Sequence, residues 1–302
     1  MKYSPSPSLS DYRKLRLPNT KSDLLKCLEQ PGQSEPPLTY DCKLLDGAVI
    51  VHCLLISAVS TFHEYADRVF IPHIEKQLQE AVRMDVVRDT YIRDSLKASA
   101  REKRGKGVCR KVSGETKLLD KWMDFLCDQL TRRSFLPSKV EDFNWHPTKA
   151  VYVTSGQAVV TVVGSIFMQN CNHEEADLRC GSCASWSSTR RKDNQIRTVD
   201  TYVVLILVGK LHDLITIQPL ADIWVAFGMG NNYRFYHINA IYASLGDPQS
   251  RALPAFDVFS GCDITSAFGG KGKKSIWQAW QAYKEVTNSL HLCILPVIPF
   301  KS

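Results

Sequence analysis

The chain has 302 residues, of which 44% are hydrophobic and 23% charged, a globular composition sufficient for one large domain or two small ones. Collagenous, coiled-coil and wholly disordered classes are excluded by that balance. The 38 Lys and Arg against 31 Asp and Glu leave a net charge of +7, which permits an anionic partner without demanding one.

The opening MKYSPSPSLSDYRKLRLPNT lacks the apolar core of a secretory signal, and apolar runs such as Ala48–Ser57 and Val203–Val208 are too short to span a membrane. An intracellular chain is therefore expected, with its ten cysteines reduced. Residues 1 to about 40 read as a flexible Pro/Ser-rich extension, relieved by one short helix starting at Ser22 or Asp23 and running through LLKCLE. From Asp41 the pattern changes. KLLD is a short apolar run ending in an acid, followed by Gly47 and AVIVHCLLI. Glu64–Glu80 has helical apolar spacing interrupted by Pro72, and MDVVRD reads as a strand closing on Asp89.

A basic block, Arg93–Lys111, sets eight cations against Asp94 and Glu102. Trp122–Leu130 reads as a helix, and AVYVTSGQAVVTVVG as two strands turning at Ser155-Gly156. IRTVD and DIWVAFG give two further strands, and residues 252–286 read as helix, Gly-rich turn, helix. Strands alternating with helices predict an α/β sheet, mostly parallel and flanked by helices. No Walker loop, G-x-S-x-G, H-E-x-x-H or Rossmann glycine set is present.

Three apolar runs finish in an acid, at Asp46, Asp89 and Asp200. Ligands of an open α/β sheet collect beyond the carboxyl ends of its strands, so such acids would converge although far apart in sequence. Glu175 and Asp177 of HEEAD and Asp263 of SGCDITS are candidates to join them. Converging carboxylates repel unless a hard divalent cation neutralises them, and Mg²⁺ or Mn²⁺ suits an all-oxygen set. One or two such ions can clamp an in-line attack on a phosphodiester. The competing meaning of each acid is a helix N-cap, for which Asp is a preferred residue.

The order of these acids, with a basic stretch after the second, E-x-D, a strand ending in Asp, G-C-D and a glycine-lysine turn, resembles the PIN-like nuclease superfamily, most closely its flap-endonuclease and 5′ exonuclease branch. The chain also resembles a group of animal, transposon-associated proteins through RLPNTKSDLL, DSLKASAREKRGKG, CNHEEAD and ALPAFDVFSGCDITSAFGGKGK. The resemblance implies a single PIN-like domain over residues 41–290, with a short tail over 291–302. It implies a metal-dependent nuclease, with Asp46, Asp89, Glu175, Asp177, Asp200 and Asp263 as catalytic residues holding Mg or Mn. It further implies a C-terminal helix-turn-helix element gripping a nucleic-acid backbone through Gly270, Lys271, Gly272, Lys273 and Lys274. The basic segment carrying Lys97, Arg101, Lys103, Arg104 and Lys106 would track single-stranded or frayed DNA. Nucleic acid, DNA in preference to RNA, is thus the expected partner, a membrane is not, and the location implied is nuclear. REKRGKG also reads as a nuclear-localisation signal.

Two departures from the family pattern bear on activity. Where the pattern reads DTDV, this chain has Asp200-Thr201-Tyr202-Val203, and a phenol replaces a carboxylate. Between Cys180 and Gln195 the apolar periodicity of an expected helix is lost, and the pattern resumes at Ile196. A pair of compensating frameshifts would produce such a stretch. A catalytically dead, transposon-derived nucleic-acid-binding protein is therefore the alternative to an active enzyme. Cys171, His173, Cys180 and Cys183 form C-x-H-x6-C-x2-C, a half-complete zinc pattern for which incidental thiols are the competing reading. Trp224, Phe227, Trp277 and Trp280 lie in apolar runs and read as core, with base stacking as their other use.

Overall fold

The fold comes from a computed structural model, which describes residues 22–29, 35–54, 59–87, 115–118, 149–155, 158–163, 192–262 and 265–293. These residues form two compact units. One takes in residues 36–199 and 220–235; the other takes in 1–35, 200–219 and 236–302.

The first unit is built on a seven-stranded sheet whose last edge strand straddles the division. Strand β1 (Tyr40–Asp46) runs into helix α2 (Gly47–Cys53), helix α1 (Asp23–Leu28) having come before it in the other unit. Helix α3 (Phe62–Tyr65), a π turn (Ala66–Phe70) and helix α4 (Ile71–Gln79) follow, then β2 (Ala81–Val87), β3 (Ala150–Ser155), β4 (Ala158–Val163) and β5 (Asp193–Thr198). Beyond a helix belonging to the other unit come β6 (Asp222–Phe227) and β7 (Arg234–His237). The spatial order is β4-β3-β2-β1-β5-β6-β7. Pairs β1–β2, β1–β5, β2–β3 and β5–β6 are parallel, whereas β3–β4 is antiparallel, with Ser155 opposite Ala158. The α/β, mostly parallel sheet read from the sequence is therefore present, and the paired strands of AVYVTSGQAVVTVVG fall where expected.

Burial explains the pattern of β1. Its residues Cys42 to Asp46 are all buried, because a central parallel strand is covered on both faces. One face packs on α2, α3 and α4 through Leu45, Ile50, Phe62, Phe70, Ile74, Met84 and Val86. Pro72 does not end the helical stretch. The N–H of Ile71 reaches back five residues to the Ala66 carbonyl, and the widened turn relieves the clash a proline ring makes with the helix behind it. Correspondingly, β5 begins at Asp193, earlier than the recovery expected at Ile196. Asn194 and Gln195 are buried in the sheet opposite Cys42 and Lys43, and the Asp41 carboxylate accepts hydrogen bonds from the Lys192 and Asp193 amides at 2.7 and 3.3 Å. Backbone pairing, which is blind to side-chain polarity, carries that register where apolar patterning does not.

The second unit is helical. Helix α5 (Thr201–Ile217) is followed by α6 (Ile238–Leu245), α7 (Asp247–Phe259), α8 (Lys273–Ala282) and α9 (Val286–Leu292). Leu24, Leu25 and Leu28 of α1 are at most 1% exposed, so this part of the N-terminal segment belongs to a core. In α5 all six residues from Val203 to Val208 are buried. A helix covered on every side shows no 3.6-residue periodicity, which is why this run gave no helical signal in the sequence. Gly209 brings α5 against α7: a Cβ there would lie 2.8 Å from Pro254 Cγ. The inner faces of α7 and α8 meet through Phe256, Trp277 and Trp280, whose rings lie 4.5 to 5.7 Å apart. Trp224, Phe227, Trp277 and Trp280 are all buried, as core residues should be.

The sheet also buries charge. Arg83 and Asp85, two apart on one face of β2, form a bidentate pair at 2.6 and 2.8 Å with both side chains at most 4% exposed. The guanidinium lies 4.3 Å from the centroid of the Tyr152 ring. Burial disfavours the charged guanidinium, but the adjacent carboxylate outweighs it and holds the Arg83 pKa above its ordinary value. Removing one partner strands the other. Asp85→Ala is expected to cost about 3–5 kcal/mol in urea unfolding, and the paired apolar replacement Arg83→Met/Asp85→Leu clearly less. Equal losses for the two would show that the pair does not act as a unit.

Candidate functional site

All the parallel strands point the same way, so their carboxyl ends share one edge of the sheet. The strand order reverses at β1: β2 and β3 extend to one side, β5 and β6 to the other. Crevices at such reversal points are where open α/β sheets bind ligands. Asp46 is the last residue of β1 and stands opposite Val87, the last of β2, while Leu45 stands opposite Arg197 near the end of β5.

Two of the six acids expected to hold metal lie among the described residues. Asp46 is 8% exposed and caps α2: its Oδ1 accepts hydrogen bonds from the amides of Ala48 at 2.8 Å and Val49 at 3.3 Å. Asp200 follows β5 by two residues, is exposed, and caps α5, its Oδ1 accepting from the Tyr202 amide at 2.8 Å. Both are therefore N-caps, the competing meaning their position allowed. A cap does not disqualify a ligand: the amides that hold Oδ1 also fix the direction of the carboxylate. Asp89, Glu175, Asp177 and Asp263 lie outside the described residues, as do Lys97, Arg101, Lys103, Arg104, Lys106 and the Cys171–Cys183 cluster. Among the described residues no three His, Cys, Asp or Glu side chains gather closely enough to hold an ion. The donors present are hard carboxylate oxygens, which suit Mg²⁺ or Mn²⁺, but a complete set needs the acids beyond the described residues.

At the same edge stands Arg197, which the sequence reading did not single out. Its Nη1 donates to the carbonyls of Thr198 and Ala226 at 2.8 and 3.0 Å, and its Nη2 to that of Gly228 at 2.6 Å. The guanidinium lies 5.2 Å from the Tyr233 ring centroid and 3.5 Å from Cys53 Sγ. Burial pushes the Cys53 thiol up, with Arg197 pulling the other way. The arginine thus ties the ends of β5 and β6 together at the reversal point. A lone basic residue near a strand's end was its one trace in the sequence.

In the helical unit, the glycine-lysine turn connects α7 to α8. Gly270, Lys271, Gly272 and Lys274 are exposed, as a backbone-gripping turn requires. Lys273 is not. Its side chain is 1% exposed, and Nζ donates to Asp257 Oδ1 at 2.7 Å, the Asp257 carbonyl at 3.1 Å and Ser260 Oγ at 3.0 Å. The expectation that Lys273 contacts nucleic acid is therefore corrected: its charge is used inside the fold, because position 273 opens α8 on the side facing α7. Gly272 has open space where a Cβ would stand, so only Gly270, at φ +67°, needs to be glycine for backbone reasons.

No family model matches the chain, and no curated protein matches it. No described helix is long and apolar enough to cross a membrane.

Lys273 and Lys271, two apart in sequence, should behave oppositely. Lys273→Met removes the ammonium that balances a buried carboxylate and is expected to cost more than about 2 kcal/mol in thermal or urea unfolding. Lys271→Ala, on the exposed turn, should stay within about 0.5 kcal/mol. Similar small effects at both positions would mean that Lys273 does not anchor the turn.

Proposed function

We propose that this protein is a PIN-like, metal-dependent nuclease-like protein acting on nucleic acid, its helix-turn-helix formed by α7, the glycine-lysine turn and α8. The observation that carries the reading is the strand order. It sets β1 between β2 and β5 at the reversal point of a parallel sheet, and these are the strands that lead into Asp46, Asp89 and Asp200. Acids separated by more than a hundred residues in the chain thereby follow neighbouring strand ends. Glu175, Asp177 and Asp263 complete the donor set in this reading, and the partner is DNA, approached from the nucleus. One or two Mg²⁺ or Mn²⁺ ions, when bound, supply a lowered pKa for attacking water and charge neutralisation for the leaving oxygen. The chain's own carboxylates hold and orient; Asp46 is suited to this by its burial and its two amide bonds. The exposed Lys271 and Lys274 give the turn a positive face toward phosphate.

A second reading has its own observation. Tyr202, whose amide is held by Asp200, puts a neutral phenol where the resembling family has a carboxylate, and a phenol weakens one ion site. In that reading the protein binds nucleic acid without cutting it.

Asparagine separates the structural from the chemical use of these acids, because it caps helices as well as aspartate does but carries no charge. Asp46→Asn and Asp200→Asn should each change stability by no more than about 0.5 kcal/mol. Each should lower Mn²⁺-dependent cleavage of labelled flap, single-stranded and duplex DNA by at least roughly 100-fold. EDTA should abolish it. Cleavage insensitive to EDTA and to both variants would overturn the metal reading, and cleavage appearing only in Tyr202→Asp would establish the silent binder.

A further inference from the structure

The turn between α7 and α8 displays two aromatic side chains that packing covers only in part. Phe259, the last residue of α7, is 55% exposed, and Phe268, just before the glycines, is 36% exposed. Their ring centroids lie 5.2 Å apart at an interplanar angle of 60°, so they form one apolar surface. Exposed phenylalanines on a floppy loop would collapse or move apart. This loop is instead pinned at three places. At Gly261, φ is +104°, and a Cβ there would lie 2.6 Å from the Ala267 Cα, so the loop closes on itself just inside the two rings. The Thr265 hydroxyl donates to the Val258 carbonyl at 2.6 Å and accepts from the Cys262 amide at 3.0 Å. The buried Lys273 ties the far side of the turn to Asp257 and Ser260.

Charge lies on the same turn. The Lys271 amide donates to the Phe268 carbonyl at 3.2 Å, with Gly270 at positive φ between them, so ring and lysine belong to one tight turn. Lys274 follows, also exposed. A rigidly held aromatic pair beside exposed lysines matches the two demands of a single-stranded nucleic acid: a phosphate backbone and bases whose faces are open. An intact duplex would satisfy the lysines but leave the rings without partners, since its bases are stacked on each other.

We propose that Phe259 and Phe268 form a base-stacking platform, which makes the substrate class a nucleic acid with unpaired nucleotides at this turn. The proposal rests on the nucleic-acid reading above and narrows it. Lys271 holds the backbone and the rings take the base.

The test measures binding of the full chain to a fluorescein-labelled single-stranded oligonucleotide and to a blunt duplex, across a salt series. Phe259→Ala and Phe268→Ala should weaken single-strand binding roughly 5- to 100-fold, the span for loss of one stacked base, and leave duplex binding unchanged. Lys271→Ala should weaken both and flatten the salt dependence. Phe268→Trp should retain single-strand affinity, and its added indole emission should be quenched by the single strand and not by the duplex. Phe259 is the more exposed ring, so thermal unfolding of Phe259→Ala should stay close to that of the native chain, and Phe268→Trp keeps an aromatic ring where Phe268→Ala removes partly covered apolar area. Salt-sensitive binding that the lysine variant weakens but the alanine variants leave alone, or weaken equally for both ligands, would overturn the platform and leave the nucleic-acid reading standing. Absence of salt-sensitive binding to either ligand would overturn both.

Discussion

Strand β1 is the constraint on which the sheet depends. It pairs in parallel with β2 on one side and β5 on the other, so both of its edges are taken, and its residues from Cys42 to Asp46 are buried. Its buried charged side chains, Lys43 and Asp46, are each held by hydrogen bonds. Lys43, 1% exposed, spends its ammonium on Gln77 and Glu80 at the end of α4 and the residue beyond. Asp46 escapes the sheet only by being last, where the chain turns into α2 and two amides need an acceptor. Polar chemistry in such a sheet is thus driven to the strand ends by the cost of burying it elsewhere. The carboxyl edge becomes the place for a site before any particular reaction is specified.

That cost also explains why capping and ligation are hard to tell apart from sequence. A strand that runs into a helix needs an acceptor for the helix's first amides, and Asp answers that need whether or not a cation is present. Asp46 and Asp200 both do so, one buried and one exposed. Their position follows from backbone hydrogen bonding, and their charge is what a capping role leaves unexplained, since asparagine or serine would serve. Lys273 shows the same ambiguity with the opposite outcome. A lysine in a glycine-rich turn reads as a phosphate contact, but here its long stem reaches back across the turn, and the ammonium closes an internal triangle with Asp257 and Ser260.

What was legible in the sequence was whatever left a period or a punctuation mark. The strands ending at Asp46, Val87 and Phe227, the hairpin around Ser155 and the short helix from Asp23 all had one. Helix α5 did not, because Val203 to Val208 are buried without a polar face to set a phase. The start of β5 was hidden for the reverse reason: Asp193, Asn194 and Gln195 are polar, and only pairing with β1 and β6 makes them strand. The π turn before Pro72 was invisible because it is a response to the proline and leaves no mark beyond it. At the site, residue type announced the acids and the lysines. The orientation of Lys273, the clamp made by Arg197 and the exposure of Phe259 and Phe268 depend on contacts between residues distant in the chain, which spacing does not encode.

The two units answer to different physics, and this bears on how function can persist or fail. In the proposed reading the sheet's carboxyl edge works through carboxylates, and Asp46 or Asp200 could be replaced by a single substitution without disturbing the strand pairing beneath it. The glycine-lysine turn depends on the packing of α7 and α8 through Phe256, Trp277 and Trp280, and on the Lys273–Asp257 pair. Nothing in that packing requires a metal ion. Loss of an acid would therefore remove the proposed chemistry while leaving a preformed surface of Phe259, Phe268, Lys271 and Lys274, whereas loss of Lys273 would remove the surface and spare the acids. On the proposed reading, such a chain would cease to cut long before it ceased to bind, because the proposed binding surface is sustained by its own core and the proposed cutting site by charges that the fold does not need.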